Sequence, residues 1–284
     1  MRRWLKPCLF ALVACTNNDF DPASYVSGLR VLAVKAEPPE VAPGESSTLS
    51  ALAVDTQGRA IGLHWFRCLE LPLPGRSIAD DCVTGADAGS ALMAAGDGSP
   101  LSYTMPAVTQ TSLGLPDSTG GFYLQLIARA NAGESDLGFG YRLRLAGGAA
   151  RNTNPTLTQV LHDSPHPKGA TTAVPDQSLD EGTPVALAAG QEITLRSAFA
   201  DGSVETYEIA IPGTPTRTVT EALSFNWFAT AGSFSEDVTS PDRPDTKLRL
   251  DVRVPAPGTT IDLWVVGQDE RGGTDFLHRT LVVQ

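Results

Sequence analysis

The sequence has no unbroken apolar run of the ~18 residues that a membrane-crossing helix requires, so a helical span is excluded. Positive charge is scarce. There are 21 Lys and Arg against 32 Asp and Glu, and a net charge of -11 argues against a nucleic-acid partner. Catalytic signatures are missing too: there is no G-x-S-x-G, H-E-x-x-H or S-x-x-K constellation, no P-loop and no G-x-G-x-x-G. No stretch combines a 3.6-residue apolar period with helix caps. Histidine and cysteine number four each.

What is plentiful is punctuation and alternation. Gly 27 and Pro 21 break the 284 residues into short segments. Apolar residues make up 42%, enough for a real core. Leu248-Arg249-Leu250-Asp251-Val252-Arg253-Val254 alternates apolar and charged residues, which predicts a strand with one buried and one wet face. Tyr141–Leu145 alternates likewise. Leu223, Phe225 and Trp227 share one face of another strand, and Ile193, Leu195 and Phe199 share a face of a third. Many short strands between turn signals predict an all-β fold of sandwich or barrel type.

The two halves echo each other in order. Ala42-Pro43-Gly44-Glu45 corresponds to Ala188-Ala189-Gly190-Gln191, and His64-Trp65-Phe66 to Asn226-Trp227-Phe228. Met105-Pro106 pairs with Val254-Pro255, Phe122–Leu126 with Ile261–Val265, and Asp136-Leu137 with Asp275-Phe276. The division predicted is residues 26–147 and 152–284, with a small, flexible boundary at Gly147-Gly148-Ala149-Ala150. The run Phe225–Phe234, with its tryptophan and a Pro-Gly or Ala-Gly turn ahead of the second strand, resembles bacterial immunoglobulin-like and PKD-like domains. The resemblance implies two immunoglobulin-like β-sandwich domains in tandem. Neither half has the cysteines that join the sheets of antibody domains.

Arg2, Arg3 and Lys6, the apolar Cys8–Val13 and then Leu12-Val13-Ala14-Cys15 resemble the leader of bacterial lipoproteins. The resemblance implies a signal peptide over residues 1–14, lipid on Cys15 and a membrane partner through that lipid. Thr16, in place of Asp after the cysteine, favours the outer membrane. Residues 15–25 then read as a polar tether. Domain 1 follows this tether and is expected nearer the bilayer, with domain 2 projecting outward. Loss of Arg2, Arg3 and Lys6 takes the net charge from -11 to -14. With Cys8 removed and Cys15 lipidated, Cys68 and Cys82 remain, and an exported chain should bridge them.

Candidate sites are few. His162 and His166 have i, i+4 spacing, but Pro165 and Pro167 break any helix that would aim both at a metal. His64 and His278 read as strand residues. Two acidic loops are calcium candidates, one with Glu236, Asp237, Asp242 and Asp245, the other Asp269 to Gly273. Ordinary acidic turns are the simpler reading, since Arg243 and Arg271 lie inside the clusters and would neutralise them. The second half carries an extra segment, Gly202–Glu221, which reads as an added hairpin: neutral decoration first, and otherwise a contact surface with Tyr207 as an exposed anchor for a partner. No cofactor is called for. The expected role is non-catalytic: binding a protein or glycan, or scaffolding, at the envelope. An extracytoplasmic enzyme or accessory module on the same fold, and a structural spacer, are the alternatives.

Overall fold

The structure is a computed structural model and describes residues 21–71, 82, 91–147, 151–170, 173–211 and 213–284. Cys15 and the leader lie outside the described residues. The fold is all-β, with 54% of the described residues in strands.

The first half contains β1 (Leu29–Glu37), β2 (Glu40–Val41), β3 (Ser46–Asp55), β4 (Gly62–Cys68), β5 (Leu92–Asp97), β6 (Leu101–Thr104), β7 (Phe122–Ala132) and β8 (Ser135–Leu145). In the second half β9 (Leu157–His162), β10 (His166–Pro167), β11 (Gln177–Ser178), β12 (Val185–Leu187), β13 (Gln191–Phe199), β14 (Thr206–Ile209) and β15 (Arg217–Thr220) come first. They are followed by β16 (Leu223–Ala229), β17 (Ser233–Phe234), β18 (Val238–Thr239), β19 (Asp245–Arg249), β20 (Thr260–Asp269) and β21 (Thr274–Val283).

The sequence echo is an echo of topology. One five-stranded sheet has the order β2-β8-β7-β4-β5, the other β12-β21-β20-β16-β18. In both, a short strand before the repeated turn pairs parallel with the last strand of its half. Facing these sheets are β1-β3-β6 and β11-β9-β13-β19-β17. Each half closes around its own hydrophobic core, one containing Trp65, Leu49, Leu126 and Leu143, the other Trp227, Ile193, Leu248 and Leu263. The turns match atom for atom. The Ala42 amide donates to the Glu45 carboxylate and the Ala188 amide to the Gln191 side chain, both at 2.9 Å.

That match corrects the sequence alignment. Gly44 and Glu45 bond to Met105, while Gly190 and Gln191 bond to Leu250. The counterpart of Met105 is therefore Leu250, not Val254. The run expected to be a strand through Val254 stops at Arg249; Leu250 still bonds Gln191 and Gly190, where β13, its partner, gives way to the turn and the pairing ends. Arg253 beyond it has a φ of 50°. Trp65 lies opposite Ala128 and Trp227 opposite Val265, so Leu124, not Phe122, corresponds to Ile261. A slip of two residues preserves the alternation of faces and is invisible to a periodicity argument.

The outer faces of the sheets are covered as well. Cys68 and Cys82 are bridged, with sulfurs 2.04 Å apart, and pack with Ala91 on Ile127 of β7. Their separation of 14 residues gives the bridge a worth of roughly 3 kcal/mol in the chain-entropy model. Peptide mapping without reductant should recover the two cysteines linked, and Cys82→Ser should lose about that stability; two free thiols would contradict the assignment.

On the second half, the cover is supplied by the first. A β-bulge between Val31 and Ala33 leaves Leu32 without a partner on β3. Val31 and Val34 enter the first core, while Leu32 packs with Val26 and Trp264. The end of the expected tether belongs to this contact: the Val26 amide donates to Ala229 at 2.8 Å, and the Ala229 amide to Ser24 at 2.9 Å. Ser24 and Tyr25 are thus an edge on β16 rather than free tether, because Val26 and the backbone of β16 gain burial and hydrogen bonds by docking. By the same contact, the end of the expected tether lies against the second half as well as the first.

Candidate functional site

The two halves are joined by a polar cluster of side chains from distant parts of the chain. The segment after the expected flexible boundary is pinned on both sides. Glu40 accepts from the amides of Gly147 (3.3 Å) and Asn152 (3.0 Å). Asn152 donates to Asp269 at 3.0 Å, and Thr153 to Glu205. Asn154 donates to the Ala36 carbonyl at 2.7 Å and accepts from the Thr274 amide at 2.8 Å. Asp275 holds Lys35 and the Leu157 amide, each at 2.9 Å. Arg151 pairs with Glu45.

Two buried guanidinium groups sit in this joint. Arg144, on β8, donates to Thr119 and to the Tyr123 hydroxyl at 2.7 Å each and lies 3.5 Å from Glu40. Arg271, 3% exposed, donates to Glu221 at 2.8 Å and also pairs with Glu205. Burying a charge is tolerable only when it is paired, and Arg271 meets two carboxylates. Burial and the charge of Asp269 push the Glu221 carboxyl up to about 7, although Arg271 pulls it down. Burial raises Asp269 as well.

Glu221 makes stability depend on pH. A folded value near 7, above the ordinary 4.5, means the folded protein holds a proton that the unfolded chain has released. This contribution is full below the unfolded value and is lost as pH rises towards 7. A decline on the order of 2 kcal/mol is expected across that window. Glu221→Gln should flatten it in thermal melts taken from pH 5 to 8; an unchanged slope would contradict the assignment.

Next to the joint is a cleft of about 700 Å³, lined by Glu40, Thr119, Phe122 and Arg144 on one side and Thr206, Tyr207, Glu208 and Arg271 on the other. Its second wall is the β14–β15 hairpin within Gly202–Glu221. The hairpin matches expectation; the role given to Tyr207 does not. Tyr207 is 7% exposed, donates to Glu270 at 2.6 Å and carries Arg271 4.4 Å over its ring. It faces inward because its apolar ring covers the guanidinium, so it is a component of the joint and no exposed anchor. What the hairpin offers instead is backbone. The Glu221 amide donates to the Glu205 carbonyl, so in the antiparallel register Tyr207 and Val219 exchange hydrogen bonds and Thr206 and Glu208 do not. The peptide groups of Thr206 and Glu208 point away from β15 and, among the described residues, no further strand pairs with them, so they form a strand edge beside the cleft.

The other candidates are dispersed. Asp245 is engaged by Arg196 at 2.6 and 2.8 Å. Asp237 contributes its carbonyl to the Trp227 amide. Asp269 accepts from the amides of Arg271 and Gly273 at 2.7 Å. Among the described residues, no three His, Cys, Asp or Glu side chains come together as a metal-holding group, Asp237, Asp242, Asp245 and Asp269 included. His162 bonds the Asp163 carbonyl, while His166 lies 3.2 Å from the Asp163 carboxylate. Asp163 itself clasps Thr194 through amide and hydroxyl. His64 pairs with Asp97, and His278, stacked on Trp264, with Asp262. Sequence reasoning missed Glu40, Arg144, Glu205 and Glu221; their only signal was charge in otherwise ordinary strand and loop surroundings. No protein-family model matches the chain, and no curated protein matches it.

Proposed function

We propose that the chain is a lipid-anchored envelope protein of two immunoglobulin-like sandwich domains that binds a protein partner, without catalysis, through the cleft between them. In support of the domain reading, the same strand order occurs twice, with a parallel pair at the end of each five-stranded sheet and a buried tryptophan on the strand after the first crossover. The leader pattern ending in Ala14-Cys15 supports the anchor, and Thr16 the outer membrane. The observation that carries the binding role is the open edge at Thr206 and Glu208 lining the cleft, where an extended segment can add as a strand. A glycan offers that edge no repeated backbone partner.

The enzyme alternative draws on one observation, the carboxyl of Glu221 held near 7 beside the cleft, as a general acid requires. Glu221 is buried on Arg271, however, which is a structural position.

Metabolic palmitate labelling should mark the wild type and not Cys15→Ala; label retained by the variant would contradict the anchor. Partner capture from intact cells by the lipidated protein should fall at least tenfold with Glu208→Arg and Thr218→Arg together, both exposed and outside the joint. Undiminished capture by that variant would remove the cleft from the account.

A further inference from the structure

We infer that the loop Asp251–Thr260 rests on the lipid surface and that the cleft faces away from it. The inference builds on the reading of Cys15 as the lipid-bearing residue. Only residues 16–20 separate Cys15 from the first docked side chain, and the six Cα steps to it reach ~20 Å when extended. That side chain is Asp21, which pairs with Arg253. The Arg253 guanidinium also lies 4.5 Å over the Tyr25 ring. A lipid on Cys15 therefore holds Arg253 close to the bilayer.

The loop around Arg253 has the chemistry of such a surface. Asp251 to Pro257 runs Asp-Val-Arg-Val-Pro-Ala-Pro, and Val252 and Val254 are each 42% exposed. The left-handed φ of Arg253 accompanies its turn toward the docked segment, with the two valines on either side. From Val252 to Thr260 there is no acidic residue, in a chain with 32. The one acid at its start, Asp251, is paired with Lys168 at 2.7 Å. An apolar loop without net negative charge is what an anionic headgroup layer accepts.

The orientation of the cleft follows from β16. Ala229, at one end, is bonded to the docked segment. Leu223, at the other, lies opposite Asp269, next to Arg271 and the cleft. Six residues of strand separate the two ends by ~20 Å. β1 runs the same way, with Arg30 bonded to Tyr25 and Lys35 to Asp275. The edge of β14 is thus presented away from the membrane, where a partner can reach it.

The test uses the mature chain with Cys15 coupled to a maleimide lipid, since Cys68 and Cys82 are bridged and leave Cys15 the free thiol. The protein is placed on vesicles of phosphatidylethanolamine and phosphatidylglycerol containing a doxyl lipid. Emission from Val254→Trp, above the wild-type background, should fall at least twofold, and emission from Thr218→Trp, beside the cleft, should not change. In the wild type, amide exchange over Asp251–Thr260 should slow several-fold on vesicles relative to solution. Unquenched Val254→Trp, or quenching of both sites alike, would overturn the inference. So would protection that grows with protein density instead of lipid, which would assign the loop to a second copy. Coupling is chemical, so these results are independent of palmitate labelling in cells, and a failure of the anchor reading is separately visible there.

Discussion

Arg271→Ala should lower the stability of the protein by about 3–5 kcal/mol, the usual cost of breaking a buried ion pair from one side. Among the described residues this guanidinium is the cation that meets both Glu205 and Glu221, and its removal leaves the buried Glu221 carboxyl beside Asp269 without its hydrogen-bonding partner and Glu205 without its ion pair. Arg271→Lys should lose most of the same stability, because one ammonium cannot replace a fork that reaches two carboxylates. Arg271→Met with Glu221→Gln should recover a good part of the loss, since an apolar side chain refills the space and the acid beside Asp269 is replaced by a neutral amide. Urea unfolding of the three variants gives the comparison. A loss below about 1 kcal/mol for Arg271→Ala would show that the cluster is solvated and joins nothing.

Trp227→Ala should cost a similar ~3–5 kcal/mol, here through a cavity. Trp227 is fully buried among Phe225, Ile193 and Leu263, and its indole donates to the Thr239 hydroxyl at 2.9 Å. Trp227→Phe keeps most of the packing but strands the hydroxyl, for an expected loss of about 1–2 kcal/mol. Trp65 has the same place in the first core, with its indole bonded to the Gly98 carbonyl at 2.9 Å, and Trp65→Ala should behave alike. Thermal unfolding of Trp227→Ala at the wild-type temperature would contradict its placement on β16.

Much of this fold is written locally. Alternation along Leu223–Trp227 and Ile193–Phe199 places those residues as strands without reference to anything distant. The turns at Ala42–Glu45 and Ala188–Gln191 repeat because the same side chain closes both on the same amide. The cysteine pair was legible by count. What escaped depends on where the halves meet. The alternation of Leu248–Val254 carries no sign that the partner strand ends at Gln191. Leu32 looks like any strand residue until a bulge turns it outward. Glu40, Arg144, Glu221 and Arg271 look like solvated charges, since their burial arises from contact between segments more than 100 residues apart in places. Tyr207 was misplaced for the same reason: a polar hairpin reads as exposed until the guanidinium beneath it is known.

The polar joint holds the two halves as one body and so keeps the cleft open. Electron–electron distance measurement between spin labels on Met93 and Val238, both exposed and one in each half, tests it most directly. The joint predicts one narrow distance distribution, broadened by Arg271→Ala. A broad or multiple distribution in the wild type would contradict it.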